Sequence, residues 1–268
     1  MSDWNSLKSE LDLWRSEGRV ATFWWRDDDV VAPTPALDRL LHLKEHFDLP
    51  LALAVIPANA DAELVNHLEH CAILQHGVSH ENFAAKGEKK SEFPENRPAE
   101  EVTADLTQGK ETLARIFADQ FVPIMVPPWN RIADNHLGVL ANLGFIGVSR
   151  YKARKAALIR PKLAEINTHI DPVNWRGDRS VVPETDLLEM VTGHLAARRE
   201  RQADPMEPTG LLTHHLVHDE EIWAALYKLL AVLTDHPAVR FVTIEGALAL
   251  VEGLPDAAFH QEAEQALE

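Results

Sequence analysis

Short apolar runs recur between helix-length amphipathic stretches, and this alternation constrains the chain more than any other feature. The runs are VATFWW (20–25), LALAVIP (51–57), CAILQ (71–75), FVPIM (121–125), FIGVS (145–149), EINTHI (165–170), GLLTH (210–214) and VRFVTI (239–244). Each reads as a strand bounded by turn residues. Between them, helices are expected over about Thr34–Phe47, Ala60–Glu69, Ala99–Phe117, Asn135–Leu143, Glu184–Arg199 and Asp219–Leu233. A further helix opens the chain at about 4–17, with Trp4, Leu7, Leu11 and Trp14 on one side and Gly18 ending it. Strands alternating with helices imply an α/β architecture with a parallel sheet. Seven or eight such units favour a barrel over an open sheet. No GxGxxG or phosphate loop follows the first strand, so nucleotide chemistry has no support.

The 268 residues suit one domain, with a core at about 20–244 and a C-terminal tail at 253–268. The formal net charge of −16 argues against a nucleic-acid backbone or an anionic membrane as partner. Cys71 is the single cysteine, which leaves no disulfide framework and no thiolate zinc cluster. The polar start MSDWNSLKSELDLW lacks a signal-peptide pattern, and no run approaches a membrane span. A cytoplasmic protein is expected.

In a β/α barrel, chemistry gathers in the loops after the strands. The unusual residues of this chain fall there. Asp27, Asp28 and Asp29 follow the first strand in WWRDDDV. Burying three adjacent carboxylates is costly unless something positive compensates them. A metal cation does so for one and lets a second act as a base, while Arg26 is placed to offset another. QHGVSHEN sets His76 and His80 four apart, one face of a helical turn. Two imidazoles and a carboxylate form a common catalytic metal set.

PPWN (127–130) reads either as a rigid turn suited to aiming the Trp129 N–H at a developing oxyanion or as a tight loop with a packed tryptophan. In THHLVHD, only one of His214 and His215 can face the site, because adjacent strand residues point to opposite sides. That histidine suits a general acid. Trp129 and Trp175 suit pocket walls. The charged, turn-rich segment 84–98 reads equally as a lid over the site and as a solvated excursion.

These motifs, in this order from about Val20 to Ile244, resemble the polysaccharide deacetylase family, the NodB-homology domain of carbohydrate esterase family four. The resemblance implies a distorted (β/α)7 barrel and a metal-dependent hydrolase of C–N amide bonds acting on an N-acetylated sugar. RDDDV looks like the family's paired aspartates, which implies Asp27 as base and Asp28 as metal ligand. The third aspartate leaves that register open by one. His76 and His80 match its His-x-x-x-His ligands, and zinc is the implied metal, with cobalt, nickel or manganese also compatible. VPPWN is similar to its oxyanion turn, and Leu212-Thr213-His214 to its acid motif, with His215 the alternative. Asp171 and Trp175 in HIDPVNW stand for its fourth motif. Asp29, Pro128, Asn130, Arg131, Asp171 and Trp175 are the implied substrate-side residues.

Two departures stand out. Val126 occupies the place where the family has an arginine that steadies the base, for which Arg26 and Arg131 are the substitutes at hand. Asp29 occupies the place of a glycine. A hydrolase of a non-sugar amide, cyclic or linear, and a carbohydrate-binding protein without turnover are the rival expectations. The partner is a small molecule or an oligosaccharide, and the oligomeric state is left open.

Overall fold

The structure is a computed structural model that describes residues 2–251. The tail expected at 253–268 lies outside the described residues. In chain order the elements are α1 (Trp4–Ser16), β1 (Ala21–Val30), α2 (Pro35–His46), β2 (Leu51–Val55), β3 (Cys71–His76), α3 (Ala99–Phe117), β4 (Phe121–Val126) and α4 (Leu137–Asn142). There follow β5 (Gly147–Val148), β6 (Leu158–Arg160), β7 (Leu163–Glu165), α5 (Glu184–Arg199), β8 (Thr209–Thr213), α6 (Glu220–Thr234), β9 (Val239–Phe241) and α7 (Ile244–Ala249). Helix starts follow local chemistry. Asp3, Thr34, Asp219 and Thr243 each accept a backbone N–H at the N-terminus of α1, α2, α6 and α7.

The strands lie side by side in the order β6-β7-β5-β4-β3-β2-β1-β8. The pairings are parallel except β6 with β7. The sheet then curls onto itself. Beyond β7 the chain runs irregularly to Ile170, which bridges Leu211 of β8, and the Leu212 N–H donates to Ile170 O at 2.8 Å. β9 pairs with Ala21–Phe23 at the start of β1. The result is the distorted β/α barrel that the alternation implied.

Two faces of the strands carry separate cores. Trp24, Ala52, Ala54, Leu74, Ile124 and Val126 pack inside the barrel. Phe23, Trp25, Leu53, Val55 and Ile73 pack outward against Leu7, Leu37, Leu188 and Leu226 of the helices. No helix among the described residues is long and apolar enough to cross a membrane.

Some expected elements differ. The segment 60–69 forms short 3-10 turns, Pro57–Asn59 and Ala62–Asn66, in place of a helix. Its connection to β3 is too short and too rich in Asn, Asp and His to sustain one. EINTHI is regular only to Glu165, because the strand must bend to reach β8 and close the sheet. The β6–β7 hairpin has no counterpart in the sequence reading.

Candidate metal centre

At the end of β1 the alternation breaks, and that break builds the site. Trp24, Arg26 and Asp28 follow the inward face, while Phe23, Trp25 and Asp27 follow the outward one. Asp27 lies beside Leu53 of β2 but Val30 lies beside Val55, so three steps on one strand match two on the other. This is a β-bulge. Asp29 takes the left-handed conformation, φ 70°, which short polar side chains tolerate. The bulge turns Asp29, which strict alternation sends outward, onto the same mouth as Asp28.

The three aspartates therefore meet three different partners. Asp27 is buried and accepts from the Thr213 hydroxyl at 2.7 Å, the His215 N–H at 3.0 Å and His215 Nδ1 at 2.5 Å. Burial raises its pKa, but the His215 charge and these hydrogen bonds outweigh that and leave it below the usual carboxylate range. Asp28 is held at both oxygens by Arg26, from Nε at 2.8 Å and Nη2 at 3.0 Å. The remaining Arg26 donors go to Ser149 O, Ser149 Oγ and Asn130 Oδ1. All five N–H groups of this buried guanidinium are thus used. Asp29 stands 3.1 Å from His76 Nε2 and 3.4 Å from His80 Nε2.

The expected grouping of Asp28 with His76 and His80 is accordingly displaced by one residue. Asp29, His76 and His80 bring their ligand atoms within 4.8 Å of one another. Arg26 claims both oxygens of Asp28, and Asp27 points into the helical layer. The position expected for an arginine, Val126, is apolar because Arg26 reaches the carboxylate from two residues upstream on its own strand.

The donor set fits a cation. His76 Nδ1 lies 3.0 Å from the Val126 carbonyl, which can only accept, so Nδ1 carries a proton. The Nε2 lone pair then faces Asp29 Oδ1. Two acceptors at 3.1 Å repel unless a positive species joins them, either a proton on His76 or a metal. The titration directions agree. Burial lowers the His76 pKa, but Asp28 and Asp29 more than offset it and raise it above the ordinary value. Burial raises the Asp29 pKa, and the His76 hydrogen bond and charge bring it far below the ordinary value. Burial, then the His76 charge, lowers that of His80.

The loop carrying the histidines is held from below by a residue that sequence reasoning missed. Glu92 is fully buried and accepts from the Val78 and Ser79 N–H groups, at 3.1 and 2.8 Å, and from the Ser79 hydroxyl. A Cβ on Gly77, whose φ is 56°, would lie 2.0 Å from Glu92 Oε2 and 2.6 Å from Pro128 Cγ. The segment 84–98 therefore underpins the site through Ser91–Pro94, and Phe93 sits in a hydrophobic core. Its stretch from Ala85 to Lys90 is solvated throughout, as are Glu95, Asn96 and Pro98. The apolar Phe-Pro pair within a charged run was the available signal.

The remaining site residues divide into those at the mouth and those that support it. Trp129 and Asn130 are both left-handed, φ 55° and 57°, in the turn after β4. The Trp129 ring packs 4.5 Å from that of His80. His214 Nε2 lies 3.9 Å from Asp28 Oδ2, and its ring meets Trp175 edge-on at 4.7 Å. Asp171 accepts from Trp175 Nε1 at 2.7 Å, and burial raises its pKa. His215 does not reach the mouth, because its ring is turned to Asp27 and buried. Asn130 Oδ1 accepts from Arg26 Nη2 at 2.9 Å, and the exposed Arg131 donates to the Lys90 carbonyl at 2.9 Å.

A second group, His169, His194 and Glu207, has comparable spacing but the opposite polarity. His169 Nδ1 accepts the Gly210 N–H at 2.9 Å, which leaves Nε2 as a proton donor facing Glu207. A metal needs that lone pair free, so this group is a buried polar cluster with an unsuitable donor set.

No family model and no curated protein matches the sequence. Solved structures do match the fold. A protein from Mycobacterium smegmatis described as a polysaccharide deacetylase superposes with a TM-score of 0.67 at 17% identity, covering 87% of this chain and 91% of its own. A mutant of a CE4 family pseudoenzyme gives 0.56 at 12% identity, with 85% and 67% covered. A family 4 acetyl xylan esterase from Clostridium thermocellum, in complex with a cobalt ion, gives 0.51 at 12% identity, with 85% and 91% covered. The chain has the fold of polysaccharide deacetylases and family 4 carbohydrate esterases.

Proposed function

We propose that this protein is a metal-dependent hydrolase that removes an acetyl group from an N-acetylated sugar. The observation that carries the reading is the pair of facing acceptors, His76 Nε2 and Asp29 Oδ1, 3.1 Å apart at an accessible barrel mouth. Asp29, His76 and His80 would hold a divalent cation, for which zinc suits the two imidazoles and one carboxylate. Bound there, the cation supplies Lewis acidity that brings a water's pKa towards about 7.

The chain's own residues do the rest. Asp28 takes the proton of the attacking water at a carboxylate oxygen, since each oxygen keeps a lone pair beyond its bond to Arg26. Arg26 fixes the plane of that carboxylate. The Trp129 N–H, presented by the left-handed turn, is the donor for the developing oxyanion. His214 Nε2 gives a proton to the departing amine. Trp129 and Trp175 wall the opening, and flat apolar faces of this kind suit a sugar ring.

Fold neighbours include enzymes and a pseudoenzyme, so the positions matter more than the fold. Asp28, the Asp29–His76–His80 group and His214 offer a candidate for each of base, ligand and acid, which favours turnover over binding alone. The test is acetate release from N-acetylglucosamine oligomers by protein loaded with zinc or cobalt, with a panel of cyclic amides alongside. Acetate release supports the reading. Cleavage of cyclic amides alone moves it to another amide class, and turnover of neither sinks it.

A further inference from the structure

The Asp27–His215 pair lies outside the mouth, and neither metal holding nor proton transfer uses it. Asp27 grips the end of β8 and the start of the turn after it, on either side of His214. Its Oδ2 accepts the Thr213 hydroxyl at 2.7 Å and the His215 N–H at 3.0 Å, and its Oδ1 meets His215 Nδ1. Trp25 Nε1 donates to Thr213 Oγ1 at 3.0 Å, so that hydroxyl's proton is directed to Asp27. The 3-10 turn His215–Val217 begins at this point, and its first N–H is the one Asp27 satisfies. His214 itself has φ −140° and ψ 80°, between strand and turn, and its N–H donates to His218 Nε2 at 3.3 Å. By contrast, His214 Nδ1 is buried with no hydrogen-bond partner among the described residues. The imidazole is therefore aimed by its backbone rather than by a bond to its own ring.

We infer that Asp27 is a positioning residue that fixes the direction of the His214 imidazole by clamping Thr213 and His215 on either side of it. The inference rests on the reading of His214 as the acid that protonates the leaving group. Each member of the triplet then has a separate role, in which Asp27 aims the acid, Asp28 is the base and Asp29 holds the cation.

Leaving-group chemistry tests it. An amine must be protonated to depart, whereas an aryl oxide leaves unaided. In the metal-loaded protein, Asp27→Asn is expected to lower kcat on an N-acetyl sugar by about 10²-fold, the cost of a small misplacement. KM, metal content and kcat on an aryl acetate should stay at the wild-type level. Thr213→Val should move the amide-to-ester ratio in the same direction, and Thr213→Ser should restore it. A ratio unchanged in both Asp27→Asn and Thr213→Val, or amide and ester activity falling together, overturns the inference. A second arm needs no turnover. With 13C-labelled histidine, the His214 Cε1–H is expected to be sharp and ordered in the wild type and broadened in Asp27→Asn. An equally ordered ring in the variant also overturns it, whereas a wild type without amidase activity sinks the proposed reaction and leaves ring order to decide this point.

Discussion

At the residue scale, three adjacent carboxylates, two of them buried, are tolerated because each meets a different compensating group. Asp28 has a guanidinium, Asp27 an imidazole and Asp29 a pair of imidazoles. His76 is the titrating element of that last group. Its metal-free pKa is raised, chiefly because Asp28 and Asp29 outweigh its burial. The proton must leave before a cation can bind, so affinity should rise with pH until His76 is deprotonated and fall as pH drops below that point. Isothermal titration with zinc between pH 5.5 and 8 checks this, and a flat profile contradicts it. Cys71 gives an independent check on burial. Desolvation pushes its thiol up to about 11. It should resist a thiol reagent at pH 8 in the folded protein and react on unfolding.

At the element scale, the β1 bulge and the loop after β3 build the mouth. Gly77 is the most demanding position in that loop, with a left-handed φ and both Glu92 and Pro128 against its missing Cβ. Gly77→Ala should cost about 1–3 kcal/mol by overpacking and abolish metal uptake. Denaturant unfolding and metal analysis would read the two effects. The histidine pair and the rigid turn after β4 were legible in the sequence because their spacing is local. The aspartate register was not. It depends on a bulge across the β1–β2 ladder, and periodicity alone sends Asp29 to the wrong face. The buried part of segment 84–98 was hidden for a related reason. Glu92 finds its partners, Val78 and Ser79, across a loop, and a charged run gives no hint of such a bond.

At the scale of the whole molecule, alternation sufficed for the barrel, whereas its irregular closure through Ile170 and Leu211 depends on tertiary contact. The seam near that closure carries the cluster of His169, His194 and Glu207. Burial lowers the pKa of both histidines. Unfolded, each titrates near its ordinary value, so the unfolded state binds more protons below about 6.5 and stability falls as pH drops through that value. Glu207 acts in the opposite sense. Burial raises it to about 7, and below that pH its protonation in the folded state returns part of the loss. Two histidines against one carboxyl leave a net loss on acidification. His169→Gln/His194→Gln should flatten the melting temperature between pH 7 and 5 relative to wild type, and an unchanged slope would show that this cluster does not set it.

The central claim is the division of labour among Asp27, Asp28 and Asp29, and metal content measures it most directly. Wild type and the three single Asp→Asn variants would be loaded with zinc, desalted and analysed for bound metal. The expected result is roughly one metal per chain in the wild type, Asp27→Asn and Asp28→Asn, and its loss only in Asp29→Asn. Loss in Asp28→Asn with retention in Asp29→Asn, or a wild type that takes up no metal, would contradict the account.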